Sequence, residues 1–310
     1  MKNKRFLSAL ACAALLAAPG AALADATDVS LFVGDEYVVS DEAAGQVYIN
    51  DAGRTMIPLR VVGDAMGYDS EWSAGTVRVT GEDGAVDVTM TIGETAYTAN
   101  DQAGSFETAP VIQNGRTYLP ARDFSEIYGN IYWEGESRSV WITQDDATSY
   151  RVLGNSLLRS DANGIQPVAM PEGYDVSSFG KSDLVVNQRV IAGTGYAVIN
   201  YDNNHSGQCS LFRDDGDAMT RLATVNGTSS FTVDGDTVYH TMGTSAGPWT
   251  GDIVPERLYV TDGTTGETAA YDLDFAVNAC TLDLTDGQLT ATDAEGTVHT
   301  IDLGALTPVA

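Results

Sequence analysis

Two arginines are the first residues whose type and spacing suggest a binding site. Arg60 and Arg122 each follow a proline by two positions, where a helix is predicted to begin, and a guanidinium there would suit an anionic group. An acidic residue, Asp64 or Glu126, lies four positions further on, which places it on the same face of the predicted helix. We therefore interpret the two arginines as members of local ion pairs rather than as ligand-binding residues.

Three tryptophans offer a second candidate surface. Trp72, Trp133 and Trp141 follow the predicted helices, and exposed indoles would suit a platform for the sugar rings of a glycan. They lie within or beside strand-like segments, where large aromatic residues usually pack into the core. We therefore predict that they are core residues facing a sheet.

Metal and catalytic patterns are absent from the sequence. His205, His240 and His299 have no paired spacing. The acidic turns at 214–217 and 234–236 have carboxylates for calcium, but they lack the twelve-residue loop pattern and are typical of hairpin turns. No nucleophile elbow, zinc-protease motif or phosphate-binding loop occurs. We predict no catalytic residue, no metal and no cofactor.

An internal repeat contains the elements that would position these residues. The segment 53–60, Gly-Arg-Thr-Met-Ile-Pro-Leu-Arg, recurs 62 residues later at 115–122 as Gly-Arg-Thr-Tyr-Leu-Pro-Ala-Arg. We assign structural roles to the shared positions, which are Gly53, Arg54, Pro58, Arg60 and Gly67 in the first copy and Gly115, Arg116, Pro120, Arg122 and Gly129 in the second.

Each copy predicts a turn, a strand and a short helix. Glycine closes a hairpin turn, the strand follows, and proline opens a helix over 58–66 or 120–128. Gly67 and Gly129 are placed for left-handed C-caps. One face of each helix is apolar and should cover a sheet; its residues are Leu59, Val62 and Met66 in the first copy and Ala121, Phe124 and Tyr128 in the second.

The doubled motif resembles the copper amine oxidase N-terminal-like domain, also called the stalk domain. The resemblance covers about 28–145, with copies at about 45–81 and 107–144. It implies an α+β accessory module, a duplicated β-α-β unit, found on exported bacterial proteins. It implies no copper chemistry, since the family is named after an appendage of the oxidase. The segment 200–202, Asn-Tyr-Asp, resembles the quinone signature of amine oxidases, but Ala197 replaces its threonine, so we expect no amine oxidase activity.

The first residues predict export. Three basic residues precede an apolar run of about 13 residues, shorter than the roughly 20 needed to span a bilayer, and Ala-Leu-Ala ends at residue 24. We predict a signal peptide at 1–24 and a secreted, extracellular protein, with association with the cell wall as one option. The formal net charge of −27 makes nucleic acid and anionic membranes poor partners.

The remaining sequence predicts an all-β domain over 150–310. Short alternating runs are separated by Asp/Gly turns, and a Leu-x-x-x-Asp motif followed by glycine occurs four times, beginning at Leu157, Leu211, Leu258 and Leu289. The pattern predicts a small or incomplete propeller-like domain, with a β-sandwich as the alternative. Cys209 and Cys280 form either one disulfide or two buried free thiols.

These features together predict a secreted, non-catalytic binding or scaffold protein of the bacterial cell surface or cell wall. The expected partner is a cell-wall polymer, a glycan or a surface protein. The alternative is an extracellular, glycan-directed hydrolase whose paired carboxylates lie on the β-domain, because a chain with 43 acidic residues has many candidates for such a pair.

Overall fold

The structure is a computed structural model that describes residues 29–38, 45–81, 84, 86–144, 147–174, 176, 185–199, 208–226, 229–242 and 254–309. The predicted signal peptide, the linker residues at 145–146, the Asn-Tyr-Asp segment at 200–202 and His205 lie outside these residues. In the described part, no helix is long and apolar enough to cross a membrane.

The N-terminal part consists of short strands in three sheets. The strands are β1 (Ser30–Val33), β2 (Glu36–Val38), β3 (Tyr48–Ile49), β4 (Thr55–Pro58), β5 (Asp69–Ser73), β6 (Thr76–Thr80), β7 (Asp87–Thr91), β8 (Ala96–Ala99), β9 (Gln102–Ser105), β10 (Val111–Gln113), β11 (Arg116–Pro120), β12 (Asn130–Glu134) and β13 (Ser139–Thr143). Among the described residues, the sheet orders are β12-β13-β1-β2, β10-β11-β4-β3 and β5-β6-β7-β8-β9. The pairing of β1 with β13 is parallel and joins the two ends of this part.

The first helix agrees with its prediction. Pro58 precedes helix α1 (Leu59–Met66) with φ −69° and ψ 122°, and Gly67 ends the helix in the left-handed conformation, with φ 76° and ψ 26°. The Gly67 amide donates to the carbonyl of Asp64, which satisfies one of the last carbonyls of the helix.

The second helix differs from its prediction. A 3₁₀ turn (Ala121–Phe124) runs into a single α-turn, α2 (Ser125–Tyr128), so the segment is not one α-helix. Gly129 has φ 106° and ψ −138°, so it does not form the predicted left-handed C-cap. The reason is the next element: β12 begins at Asn130, and an extended ψ leads the chain directly into that strand.

Both helical segments cover the core of the N-terminal part with the predicted faces. Leu59, Val62, Phe124 and Tyr128 are buried in one cluster, and Met66 and Ala121 pack against it. The Tyr128 hydroxyl donates to the carbonyl of Leu59 across 3.2 Å, which ties the second copy to the first. Burial raises the pKa of Tyr128.

The described residues beyond 147 form strands and a 3₁₀ turn (Leu303–Ala305), and they contain no α-helix. The strands are β14 (Ser149–Leu153), β15 (Ser156–Asp161), β16 (Gly164–Val168), β17 (Val185–Ile191), β18 (Thr194–Ile199), β19 (Gln208–Asp214), β20 (Met219–Asn226), β21 (Phe231–Asp234), β22 (Thr237–His240), β23 (Arg257–Asp262), β24 (Thr268–Asp272), β25 (Thr281–Thr285), β26 (Gln288–Thr292) and β27 (Val298–Ile301). The protein is therefore mostly β, with an all-β C-terminal region, as the sequence predicts.

The C-terminal strands form successive antiparallel sheets in chain order: β14 to β16, β17 to β20, β21 to β24 and β25 to β27. In each of these sheets, the strand that contains the Leu-x-x-x-Asp motif pairs with the strand that follows it. The four predicted hairpins are therefore present. Leucines of the motif are buried, because they face the apolar clusters between neighbouring sheets.

A buried arginine joins the N-terminal part to the first of these sheets. Arg151 on β14 is only 4% exposed, and its Nη2 donates to the carbonyl of Gly34 across 2.9 Å. Its guanidinium lies 4.5 Å from the ring centroid of Phe32 and 5.8 Å from that of Trp141. Phe32 and Trp141 share a cluster with Leu153. The two parts therefore meet through an apolar contact that contains one cation.

Candidate functional site

Strands β4 and β11 bring the two copies of the repeated motif together. They pair antiparallel, and their register joins Pro58 with Tyr118, Ile57 with Leu119, and Met56 with Pro120. Ile57 and Leu119 are equivalent positions 62 residues apart. The same shift relates Pro58 to Pro120 and Met56 to Tyr118, so it converts the Pro58–Tyr118 pair into the Pro120–Met56 pair. The register is therefore symmetric about the Ile57–Leu119 pair. As a result, the helix start of each copy lies beside the hairpin turn of the other.

One cleft of about 490 Å³, here called the first cleft, is built from both copies. The first copy supplies the helix start and the residues around Trp72, and the second copy supplies the turn that precedes β11. The lining residues are Pro58, Leu59, Arg60, Val61, Asp64, Ser70, Glu71, Trp72, Val77, Asn114, Gly115, Arg116 and Thr117.

A second cleft of about 500 Å³ is built in the same way with the copies exchanged, but its lining lacks acidic residues, whereas Asp64 and Glu71 line the first cleft. The second copy now supplies the helix start and its tryptophan, and the first copy supplies the turn. The lining residues are Ile49, Ala52, Gly53, Arg54, Thr55, Pro120, Ala121, Arg122, Ile131 and Trp133. Each cleft therefore contains two motif arginines, one from each copy, together with one tryptophan.

The arginines of the second cleft share one carboxylate. Nη1 of Arg54 lies 3.3 Å from Oε2 of Glu107, and Nη1 of Arg122 lies 3.2 Å from the same oxygen. The hydrogen bond from Arg54, followed by the charge of Arg122, lowers the pKa of the Glu107 carboxyl. The predicted pair between Arg122 and Glu126 is wrong, because Glu126 instead accepts from the Tyr97 hydroxyl across 2.8 Å.

The predicted pair between Arg60 and Asp64 is also wrong. Both side chains are exposed, and Arg60 makes no ion pair with any residue that the structure describes. Its partner arginine in the first cleft, Arg116, donates to the carbonyl of Asn114 across 3.3 Å. The Arg60 guanidinium therefore forms no ion pair within the described part of the chain, although the carboxylates of Asp64 and Glu71 line the same cleft.

The prediction for the tryptophans is correct only for Trp141. Trp141 is fully buried, and its indole Nε1 donates to the carbonyl of Gly34 across 3.0 Å. Trp72 is 58% exposed and Trp133 is 38% exposed, and each lines a cleft. Both residues lie on outer strands of their sheets, β5 and β12, so each strand has a paired neighbour on one side only.

Glycines and prolines of the motif shape the clefts. Gly53 (φ 72°) and Gly115 (φ 76°) form the turns that lead into β4 and β11, as predicted. Pro58 and Pro120 end these strands, and Arg60 and Arg122 come two residues later on the helical segments. The glycines and prolines of the motif therefore form turns and end strands, and two of its arginines line each cleft.

The acidic turns of the C-terminal region interact with arginine. The Asp214 carboxylate accepts from Arg159 Nη1 at 3.0 Å and 3.1 Å, and it also accepts from the Tyr150 hydroxyl at 2.7 Å. Arg213 pairs with both Asp215 and Asp236. No group of three or more His, Cys, Asp or Glu residues suited to a metal ion occurs among the described residues.

His240, Cys209 and Cys280 are buried, and the two cysteines lie in different apolar clusters. His240 is 3% exposed, and burial lowers its pKa to about 4. Cys209 and Cys280 are free thiols in different apolar clusters, so the disulfide alternative is not formed in this structure. Burial raises the pKa of the Cys209 thiol to about 11 and also raises that of Cys280. Both thiols are therefore protonated at neutral pH.

Sequence reasoning missed two features of this site. Glu107 lies outside the repeated motif, and the equivalent position in the first copy is Gly45, so comparison of the copies carries no signal for a carboxylate there. The clefts themselves were also missed, because each is built from segments of both copies. The repeated arginines and the tryptophan after each helix were the available signal.

The fold and the two clefts define a mostly β protein whose N-terminal part carries a pair of similar surface sites. Residues 33–142 match the family model described as the copper amine oxidase N-terminal domain. The match covers the part of the chain that contains the doubled motif, in agreement with the resemblance that the motif predicts. No curated protein matches the chain.

Proposed function

We propose that this protein is a secreted, non-catalytic binding and scaffold protein of the bacterial cell surface or cell wall. The observation that carries the proposal is the pair of open clefts, each with two arginines and an exposed tryptophan, within an accessory domain of the copper amine oxidase N-terminal family. Exposed indoles and guanidiniums are typical of sites that recognise ligands, because both bring large contact area and directional contacts.

The contact between the two parts of the chain supports the scaffold role. Arg151, Phe32 and Trp141 bury a cation between aromatic rings, and the Asn130 side chain donates to Ser160 and to the carbonyl of Asp161. A contact of this kind restricts the motion of one part against the other. The clefts would then be held at a defined position on a larger β-rich body.

For the C-terminal region we propose the finer architecture of an incomplete propeller-like domain, in which the four sheets act as blades. The first strands of neighbouring sheets support this arrangement, since β14 contacts β17 and β21 contacts β25. Arg189 on β17 adds to it, because its Nη1 donates to the carbonyls of Phe231 and Leu282 at 2.8 Å and 2.9 Å. A crystal structure in which these first strands do not surround a common axis would overturn this assignment.

The function is tested by retention on surface polymers. The protein without residues 1–24 is incubated with purified bacterial cell wall and with a panel of immobilised glycans, and bound protein is measured after washing. An unrelated protein of similar negative charge serves as the control. The proposal predicts retention above this control on at least one polymer, and no retention on any of them would contradict it. The hydrolase alternative stays a prediction, testable by screening the same polymers for release of reducing sugars.

A further inference from the structure

The two clefts differ in the charged residues that line them. The first cleft is lined by Arg60 and Arg116. The carboxylates of Asp64 and Glu71 line it as well, so its formal charges cancel. The second cleft is lined by two arginines, and no acidic residue of the described part of the chain lines it. Of the two clefts, the second therefore has the excess of positive charge.

Glu107 pairs with both arginines of the second cleft without lining it. Its Oε2 lies 3.3 Å from Nη1 of Arg54 and 3.2 Å from Nη1 of Arg122. Its backbone amide donates across 2.9 Å to the carboxylate of Asp123, which is itself only 3% exposed and does not line the cleft. Glu107 therefore acts as a positioning residue, since it holds both guanidiniums, and the two arginines with this one glutamate keep a charge of one proton.

The remaining donors of the two guanidiniums are available to a ligand. Both arginines contact Glu107 through Nη1, and neither guanidinium donates to another residue that the structure describes. The Arg122 side chain is 77% exposed and that of Arg54 is 39% exposed. A guanidinium presents its N–H groups as a planar fork, which a carboxylate or phosphate binds with two parallel hydrogen bonds. The free donors therefore suit an anionic group.

An apolar surface lies in the same cleft. Trp133 and Ile131 are two residues apart on β12, so their side chains project from the same face of the strand. Ile131 packs against the core of the N-terminal part, whereas Trp133 is 38% exposed. Both line the cleft, together with the exposed Ile49. The indole therefore extends the apolar surface of the core into the cleft, where its flat face suits the C–H groups of a sugar ring.

We propose that the second cleft binds an anionic sugar, with the carboxylate or phosphate of the sugar on the guanidiniums of Arg54 and Arg122 and its ring against Trp133. This inference rests on the proposed function and names both the ligand class and the cleft that binds it. The first cleft does not bind the same group, because the carboxylates of Asp64 and Glu71 repel it.

The net charge of −27 limits the conditions under which such binding occurs. At low ionic strength the field of the whole protein repels an anion. At about 0.15 M salt the screening length is about 8 Å, so that field is weakened while the contacts inside a cleft are kept. Short oligosaccharides at physiological salt are therefore the appropriate probes.

The ligand class is tested by calorimetric titration of the purified protein at about 0.15 M NaCl. One probe is trigalacturonate, which carries carboxylates, and the other is maltotriose phosphorylated on one ring, so the two arms distinguish the two acidic groups. We expect at least one probe to bind. Its uncharged counterpart, the galacturonate methyl ester or unmodified maltotriose, should bind about tenfold more weakly or worse, because the charge-assisted hydrogen bonds are lost.

Acids without a ring test the contribution of the indole. Succinate and inorganic phosphate should each bind at least about tenfold more weakly than the sugar with the same acidic group. Failure of the parent protein to bind either anionic sugar would overturn the inference. Equal binding of the uncharged sugar, or of the acid without a ring, would also overturn it.

The symmetry of the motif supplies matched variants that assign the cleft. Trp133→Ala and Arg122→Gln should each lower the affinity about tenfold or more. Trp72→Ala and Arg60→Gln change the equivalent residues of the first cleft and should bind as the parent does. Unchanged melting temperatures show that each variant is folded, and Trp133→Phe, which keeps an aromatic ring, should regain part of the affinity. The assignment is wrong if the first-cleft variants lose as much affinity as the second-cleft variants, or if neither second-cleft variant loses any.

Retention on purified cell wall separates this inference from the proposed function. The inference predicts that the Trp133 and Arg122 variants are retained less than the parent on a wall polymer that contains acidic sugars. If cell wall retains the parent and both variants equally well, the inference fails while the proposed function stands.

Discussion

Arg151→Ala is expected to weaken the contact between the two parts of the chain. The Arg151 guanidinium is buried, lies over the rings of Phe32 and Trp141, and donates to the carbonyl of Gly34. Alanine removes the cation, the donor and the apolar stem of the side chain together. The Gly34 carbonyl keeps one donor, because the indole of Trp141 lies 3.0 Å away.

The expected loss can be estimated from these contacts. A desolvated cation over an aromatic ring contributes about 2 kcal/mol, and a hydrogen bond from a charged group contributes about 1.5–3 kcal/mol. Removal of a buried charge also relieves its desolvation, which reduces the sum. We expect Arg151→Ala to lower the free energy of unfolding by about 3 kcal/mol. Arg151→Met keeps the stem and should lower it by roughly half as much.

Urea unfolding followed by tryptophan fluorescence measures this effect, because Trp141 lies in the contact itself. Arg78→Ala is the matched control, since Arg78 is an exposed arginine paired with Asp87. The argument is refuted if Arg151→Ala unfolds at the same urea concentration as the Arg78 variant. Separate transitions for the two parts in the Arg151 variant, where the parent has one, would further support a shared contact.

Three further predictions concern stability and thiol chemistry. Gly129→Val places a β-branched residue at φ 106° and should lower the free energy of unfolding by about 1–3 kcal/mol in the urea assay; a parent-like midpoint would contradict this. His240 has a pKa of about 4, below its usual 6.5, so the unfolded chain takes up the proton first and stability should fall by up to about 1.4 kcal/mol per unit as pH drops from 6.5 towards 4. His240→Gln should remove this slope between pH 7 and pH 5, and persistence of the slope would assign it to other groups. Cys209 and Cys280 should resist an alkylating reagent at pH 8 in the native protein and both react after unfolding without reductant, whereas a disulfide would leave both unreactive.

The local structure of the repeat could be predicted because its causes lie within a few residues. Gly53 and Gly115 permit the turns, proline ends each strand, and Gly67 accepts the left-handed conformation that ends α1. The hairpins of the C-terminal region were predictable for the same reason, since alternating strands and Asp/Gly turns are local patterns. Where the next element intervened, as β12 does after Gly129, the local prediction was wrong.

The composition of the candidate site was decided by tertiary structure. The antiparallel pairing of β4 with β11 places the turn of one copy beside the helix start of the other, and nothing within either copy specifies this pairing. Glu107 contacts Arg54 across 53 residues of sequence and Arg122 across 15. It therefore takes the place of Glu126, the partner that helical spacing predicts for Arg122. Side-chain partners depend on which segments meet, and spacing along one helix does not contain that information.

The exposure of the tryptophans has the same origin. Trp72, Trp133 and Trp141 have similar sequence surroundings, yet only Trp141 is buried. It lies on β13, between β12 and β1, where Arg151 lies over its ring and Phe32 and Leu153 share its apolar cluster. Trp72 and Trp133 lie on the outer strands β5 and β12. The sequence by itself determined the repeat and the strand pattern through local chemistry, and the export signal stays a prediction. Only the tertiary packing decided which aromatic residues enter the core and which face solvent, because burial depends on the neighbours that each face of a strand acquires on folding.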